Sequence, residues 1–319
     1  MESNLKKDIK IIDVIDETLK SLLLKVIIED TEYCIKCYKN NKFYVTENNI
    51  YEILNQQNFF EEYKDIFVKL TFHKFNDFNI IDTNNLLTIN CEFFLLMDLY
   101  DGDLFTLLNS YEGDINDIIN DLIYKIKLLY NKKLYYVDVK LENVLYIVKD
   151  DKVYFVLCDL GSFSMNNLDF SFTIEYTNLQ CIFENIYNKN LYNKKIVHTT
   201  LQCKKMILHN LAMSILRIYC YKNNLLLNEI NKYDNEIINL YLTFSKIMKN
   251  IKYFSNEIVQ NNYKIYCEYS MTIIDDFLLN LDKNVFLQEI NDMITTSYDA
   301  VDENEIDNYI NKININNKI

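Results

Sequence analysis

The chain has 319 residues, half of them apolar, enough to bury a core as one two-lobed domain or as two small ones. A net charge of −13 argues against unassisted binding to nucleic acid or to an anionic membrane. The longest apolar runs, such as "SLLLKVII", are too short and too interrupted to span a bilayer.

Residue usage is skewed. Proline and tryptophan are absent, glycine occurs only at positions 102, 113 and 161, and Arg217 is the single arginine. Asn, Ile, Lys, Tyr and Phe are abundant, and all have AT-rich codons, so the skew reads as genomic base composition of an AT-rich virus, parasite or symbiont. A glycine kept under such pressure is one the backbone needs, whereas a missing proline or arginine says little. The eight cysteines have no framework spacing and the start, "MESNLKKDIK", is polar. Reduced, buried thiols in an intracellular, cytoplasmic protein are expected. "CIKC" (Cys34–Cys37) falls in a strand-like run, where positions i and i+3 point to opposite faces, and reads as structural.

In chain order, "IIDVI", "LLLKVII", "EYCIKCY", "LLTINCEF" and "FFLLMDLY" read as strands. "VTENNIYEILNQQNFFEEY" interrupts them with helical spacing at Ile50, Ile53 and Leu54, and Thr46 is its expected cap. After Tyr100 the pattern turns helical. "DLFTLLNSY" is short, and "INDIINDLIYKIKLLYNKK" carries Ile115, Ile118, Ile119, Leu122, Ile123, Ile126 and Leu129 on one stripe. "VLYIV" and "VYFVLC" flank the charged turn "KDDK" and predict a β-hairpin. An irregular stretch is expected from about 162 to 200, followed by helices in "CKKMILHNLAMSILRIYCY" and "DNEIINLYLTFSKIMKNI", and a polar tail from 302.

Carboxylates, a lysine and an amide crowd the two ends of the hairpin. "YVDVKLENVL" resembles the catalytic loop of eukaryotic-type protein kinases, with Asp138, Lys140, Glu142 and Asn143 at matching positions, and "CDLGS" resembles that family's metal-binding D-F-G. The resemblance implies a two-lobed α+β fold in a single domain over 1–319. The β-rich N-lobe would span 10–99, the helical C-lobe 100–301 and the polar tail 302–319. It implies phosphoryl transfer from ATP, with Mg²⁺, to protein substrates. Asp138 would accept or orient the substrate hydroxyl proton and Lys140 would steady the γ-phosphate. Asn143 and Asp159 would hold Mg²⁺ with oxygen ligands, and Gly161 would let the backbone turn after Asp159. "YCIKCY" makes Lys36 the match for the lysine on the α- and β-phosphates. A glutamate is expected about one and a half dozen residues later, which favours Glu52 over Glu47. In "FFLLMDLYDGDLFTLL", Met97 would be the gatekeeper, the backbone of Asp98 and Tyr100 would meet adenine, Gly102 would allow the turn, and Asp103 would reach the ribose.

The chain also departs from that pattern. Residues 11–35 contain no glycine, so every residue of the turn "IDETLKS" carries a Cβ where phosphates would approach, and Asp16 and Glu17 add negative charge there. Tyr136 and Val137 replace the histidine and arginine before Asp138. A phosphorylated activation segment therefore lacks its usual partner, which makes Ser164, Ser171, Thr173, Tyr176 and Thr177 weak regulatory candidates. No A-P-E occurs, and "MILHNLAMSIL" lacks the buried aspartate expected of its helix, so the catalytic loop must be anchored differently.

Three functions are weighed. A Ser/Thr protein kinase is favoured by Lys140 two residues after Asp138. A pseudokinase serving as a binding module is favoured by the lost glycines and Val137. A small-molecule kinase of the aminoglycoside or choline type is disfavoured by Lys140. The compact, AT-driven look is similar to kinases of large DNA viruses such as insect poxviruses.

Overall fold

A computed structural model describes residues 6–164, 172–192, 199–223, 227–249, 256–279, 285–299 and 302–313; Ser171 lies outside them. The chain divides into two compact units. The first runs to Asp103 and takes back the hairpin at Val144–Gly161; the second comprises Leu104–Asn143 and the chain from Ser162 onward.

The first unit is a six-stranded sheet. Its strands are β1 (Lys7–Glu17), β2 (Ser21–Ile28), β3 (Thr31–Tyr38), β4 (Leu70–Lys74), β5 (Phe78–Ile81) and β6 (Phe93–Asp98), in the order β4-β6-β3-β2-β1-β5. β2 alternates buried and half-buried positions, and Leu22, Leu24 and Val26 meet Ile9, Ile35 and Phe94 in one apolar cluster. The tight turns manage without glycine. Glu29 and Asp30, between β2 and β3, have φ of 50° and 64°. This pair of positive φ values is what a two-residue turn between twisted strands requires.

Between β3 and β4 lie α1 (Asn41–Gln56) and α2 (Phe59–Glu62). The cap of α1 is Asn40, whose side chain accepts from the Lys42 amide at 2.8 Å, not the expected Thr46, whose hydroxyl donates inside the helix to Lys42 O. The run "LLTINCEF" was expected as a strand, and only Phe93 of it belongs to one. Asp82 takes the amides of Leu86 and Leu87 at 2.9 Å each, and Leu86, Leu87, Ile89 and Cys91 still pack on the apolar cluster. The burial survives without the ladder.

The short β7 (Gly102–Asp103) pairs with β9 (Val144–Lys149), which forms the predicted hairpin with β10 (Lys152–Leu157). Asp150 and Asp151, with φ of 51° and 59°, make its turn. The end of β10 is pinned to the chain after α2: Leu157 N donates to Ile66 O at 2.7 Å, and Val68 N donates to Leu157 O at 2.9 Å.

The second unit is helical. It holds α3 (Leu104–Leu107), α4 (Ile115–Asn131), α5 (Leu179–Tyr192), α6 (Thr200–Asn223), α7 (Leu227–Lys249), α8 (Asn256–Leu279), α9 (Val285–Tyr298) and α10 (Glu303–Lys312). Two short strands, β8 (Tyr135–Tyr136) and β11 (Phe163–Ser164), pair with each other. The predicted stripe of α4 is buried throughout and Asp114 caps its start. α5 lies where an irregular stretch was expected. α10 has a capping box of Asp302 and Glu305, and buries Ile306 and Ile310. A β-rich unit followed by a helical unit is the α+β order expected from the sequence. Among the described residues no helix is long and apolar enough to cross a membrane.

Candidate active site

Each unit carries one cluster of the expected residues. In the first unit, Lys36 Nζ lies 2.8 and 3.0 Å from the two carboxylate oxygens of Glu47 and 2.9 Å from Asp159 Oδ1. Their side chains are 14%, 10% and 22% exposed, so these are charge-assisted hydrogen bonds shielded from water. Burial works to lower the Lys36 ammonium pKa, but the carboxylates of Asp159 and Glu47 outweigh it and hold the lysine charged, well above its ordinary value. Two carboxylates share one ammonium. Burial, with repulsion from Asp159, accordingly raises the Glu47 pKa against the pull of Lys36.

The partner of Lys36 is therefore Glu47, a correction to the expected Glu52. Only Lys39 and Asn40 separate β3 from α1, so the helix begins earlier than the resemblance implies. Glu47, Ile50 and Leu54 then fall on the buried face at helical spacing, while Glu52 lies on the exposed one. Gly161 is corrected as well. No glycine has a positive φ, and it is Asp159 that takes the left-handed conformation, at φ 69°. Aspartate tolerates that region better than most residues, at a cost of about 1–2 kcal/mol.

In the second unit, Asp138 is 2% exposed and its carboxylate is met from two sides. Thr173 N donates to Oδ1 at 2.9 Å and Thr173 Oγ1 donates to Oδ2 at 3.2 Å. Lys140 Nζ lies 3.7 Å from Asp138 Oδ2 and donates to Thr173 Oγ1 at 2.9 Å. One aliphatic hydroxyl thus bridges the carboxylate and the ammonium. The Asn143 amide spends both hydrogens, on Asp138 O at 3.0 Å and Ser162 Oγ at 3.2 Å, which fixes where its oxygen points.

The structure shows how this loop is held without the usual aspartate. Asn210 Nδ2 donates to Val137 O at 2.6 Å and Ser214 Oγ to Val139 O at 3.0 Å, so α6 grips the backbone on both sides of Asp138. Val137 N donates to Ser162 O at 2.7 Å. One turn further along α6, Arg217 forms a two-pronged ion pair with Asp234, donates to Glu175 O at 3.3 Å and lies over the Tyr176 ring at 4.4 Å. Asn178 donates to Ser297 O at 2.8 Å and accepts from Cys181 N at 3.3 Å, capping α5. The segment from Thr173 to Leu179 is thus anchored by buried side chains. Sequence reasoning missed Asn210, Ser214 and Arg217 as anchors. Their signal was polar side chains at i, i+4 and i+7 within an otherwise apolar helix.

The remaining expected residues sit along the end of β6. Met97 is buried between Cys34 of β3 and Leu70 of β4. Asp98 is exposed opposite Tyr33. Tyr100 is half-buried, and burial, reinforced by Asp98 and Cys158, pushes its phenol up to about 12. Asp103 pairs with Leu145 of the hairpin. In the β1–β2 turn, Thr18 Oγ1 accepts from the amides of Lys20 and Ser21 at 3.1 and 3.0 Å. Glu17 is neutralised by Lys39 at 2.7 Å, and Leu19 stands 96% exposed at the tip.

No protein-family model matches the chain, and no curated protein does. Among solved structures it is similar to the Cydia pomonella granulovirus kinase PK-1, at 22% identity and a TM-score of 0.43, over 66% of this chain and 67% of that one.

Proposed function

We propose that the protein transfers the γ-phosphate of ATP to serine or threonine hydroxyls of protein substrates. The observation that carries this reading is the bridge at Thr173. A hydroxyl on a β-carbon donates to Asp138 and accepts from Lys140, the hydrogen bonds an acceptor side chain needs. In this reading Asp138 takes or orients the acceptor's proton, and Lys140 steadies the transferring phosphoryl oxygens. Lys36, held charged and aimed by Glu47, binds the donor's phosphates. Asp159 and the Asn143 oxygen supply hard donors suited to Mg²⁺. Among the described residues no group of three His, Cys, Asp or Glu side chains forms a cage. Mg²⁺, when bound, would neutralise charge on those phosphates. Met97 would border the adenine, the backbone of Asp98 and Tyr100 would hydrogen-bond it, and Asp103 would reach the ribose.

Transfer from γ-labelled ATP to a generic basic protein, followed by phosphoamino-acid analysis, tests the proposal. Label on serine and threonine that disappears in Asp138→Asn is expected; label on tyrosine alone would refute it. The glycine-free β1–β2 turn favours a second reading, a pseudokinase binding module. Thermal stabilisation by Mg-ATP without any transfer would decide for that one.

A further inference from the structure

The Lys36–Glu47 pair has a third member. Lys36 and Tyr38 are two residues apart on β3 and so share one face of the strand. The Tyr38 hydroxyl donates to Glu47 Oε2 at 3.0 Å, and Lys36 Nζ lies 5.7 Å from the centre of the Tyr38 ring. The same ring is wedged in place, edge-on to Tyr44 of α1 at 5.8 Å and stacked with Phe72 of β4 at 6.3 Å, leaving Tyr38 4% exposed. Tyr38 therefore joins strand, helix and ion pair through one side chain. The two-residue connection that follows it is fixed as well. Lys39 N donates to Lys20 O at 2.9 Å, its ammonium pairs with Glu17, and Asn40 caps α1.

We propose that Tyr38 is a positioning residue: by tying Glu47 of α1 to the strand that carries Lys36, it holds the Lys36–Glu47 pair assembled. The inference rests on the phosphoryl-transfer reading for its functional meaning but not for its structural content. Here the carboxylate is tied back to the strand that carries the lysine.

The test is Tyr38→Phe, which keeps the ring and its aromatic packing and removes only the hydroxyl. Without nucleotide, amide hydrogen exchange across residues 41–56 should be about tenfold faster than in the native chain, with β2 and β3 unchanged. If the native chain transfers phosphate, its KM for ATP should rise about tenfold in the variant while kcat stays within about twofold, since saturating nucleotide restores the competent population. The effects of Tyr38→Phe and Glu47→Gln should be strongly non-additive in the double variant. Unchanged exchange in α1, or additive effects, would overturn the proposal. If the native chain neither binds nor transfers, the functional reading fails, and the exchange measurement still decides the role of Tyr38.

Discussion

Glu47 and Glu52 differ by little more than one helical turn, and only one of them meets Lys36. Resemblance alone set the expected distance from the lysine. The short β3–α1 connection shifted the helix, and its apolar stripe then decided which carboxylate turns inward. Glu47→Gln should lower phosphoryl transfer at least tenfold, because it removes a charge-assisted pair worth roughly 1.5–3 kcal/mol. Glu52→Gln should stay within about twofold; comparing kcat/KM for the two variants checks the assignment. Lys36, Asp138, Lys140, Asn143 and Asp159 stood out as candidates in the sequence because their spacing follows a pattern. Asn210 was hidden because it does an aspartate's work with a different group. Asn210→Ala would strand the Val137 carbonyl in a buried place, at about 1–3 kcal/mol. Steady-state kinetics should show kcat falling about tenfold or more with the KM for ATP little changed.

The elements found by pattern were those with strong periodicity, above all α4 and the hairpin β9–β10. β4 and β5 escaped because they are short and their burial is ragged. α5 escaped because its start depends on Asn178, whose capping role is visible only once α9 is in place. The segment Thr173–Thr177 depends on Arg217 in the same non-local way. Arg217→Lys keeps the charge but cannot keep two prongs on Asp234 and a third contact on Glu175. Transfer should fall more steeply than ATP binding, and parallel rate and binding measurements would show it. α10 is held by Lys204, 2.7 Å from Asp307 and 3.2 Å from Glu303, and by Tyr130 on Asp307. Burial opposes ionisation of Asp307, but Lys204 and Tyr130 prevail and depress its pKa below the ordinary 3.8. Lys204 is raised above the ordinary 10.5, because Asp307 and Glu303 outweigh burial. A depressed acid contributes stability above its ordinary value and loses it as pH falls through the folded one. A raised lysine contributes below 10.5 and loses it above. Exchange protection of residues 303–312 should therefore be flat between about pH 4 and 10 and fall on either side.

For the whole chain, the division into a β-rich and a helical unit was legible from the change of hydrophobic period after Tyr100. The return of the hairpin to the first unit was not, because it depends on pairing with β7 and on the Ile66–Val68 backbone. The helical unit also buries a neutral histidine. His209 is fully buried against Ser297 and Tyr298, and burial pushes its pKa down to about 3. Its contribution is present above the ordinary 6.5 and is lost as pH falls toward 3. Between pH 6.5 and 5 the unfolding free energy should drop by up to about 1.4 kcal/mol per pH unit, and His209→Gln should remove that slope in chemical denaturation. The proposed activity is phosphoryl transfer from ATP. The most direct measurement is the rate of γ-phosphate transfer from labelled ATP, with Mg²⁺, to the protein itself and to a basic acceptor, beside an Asp159→Asn control. Transfer by the native chain that is lost in the control is expected. A folded native chain with no transfer above the control would contradict it.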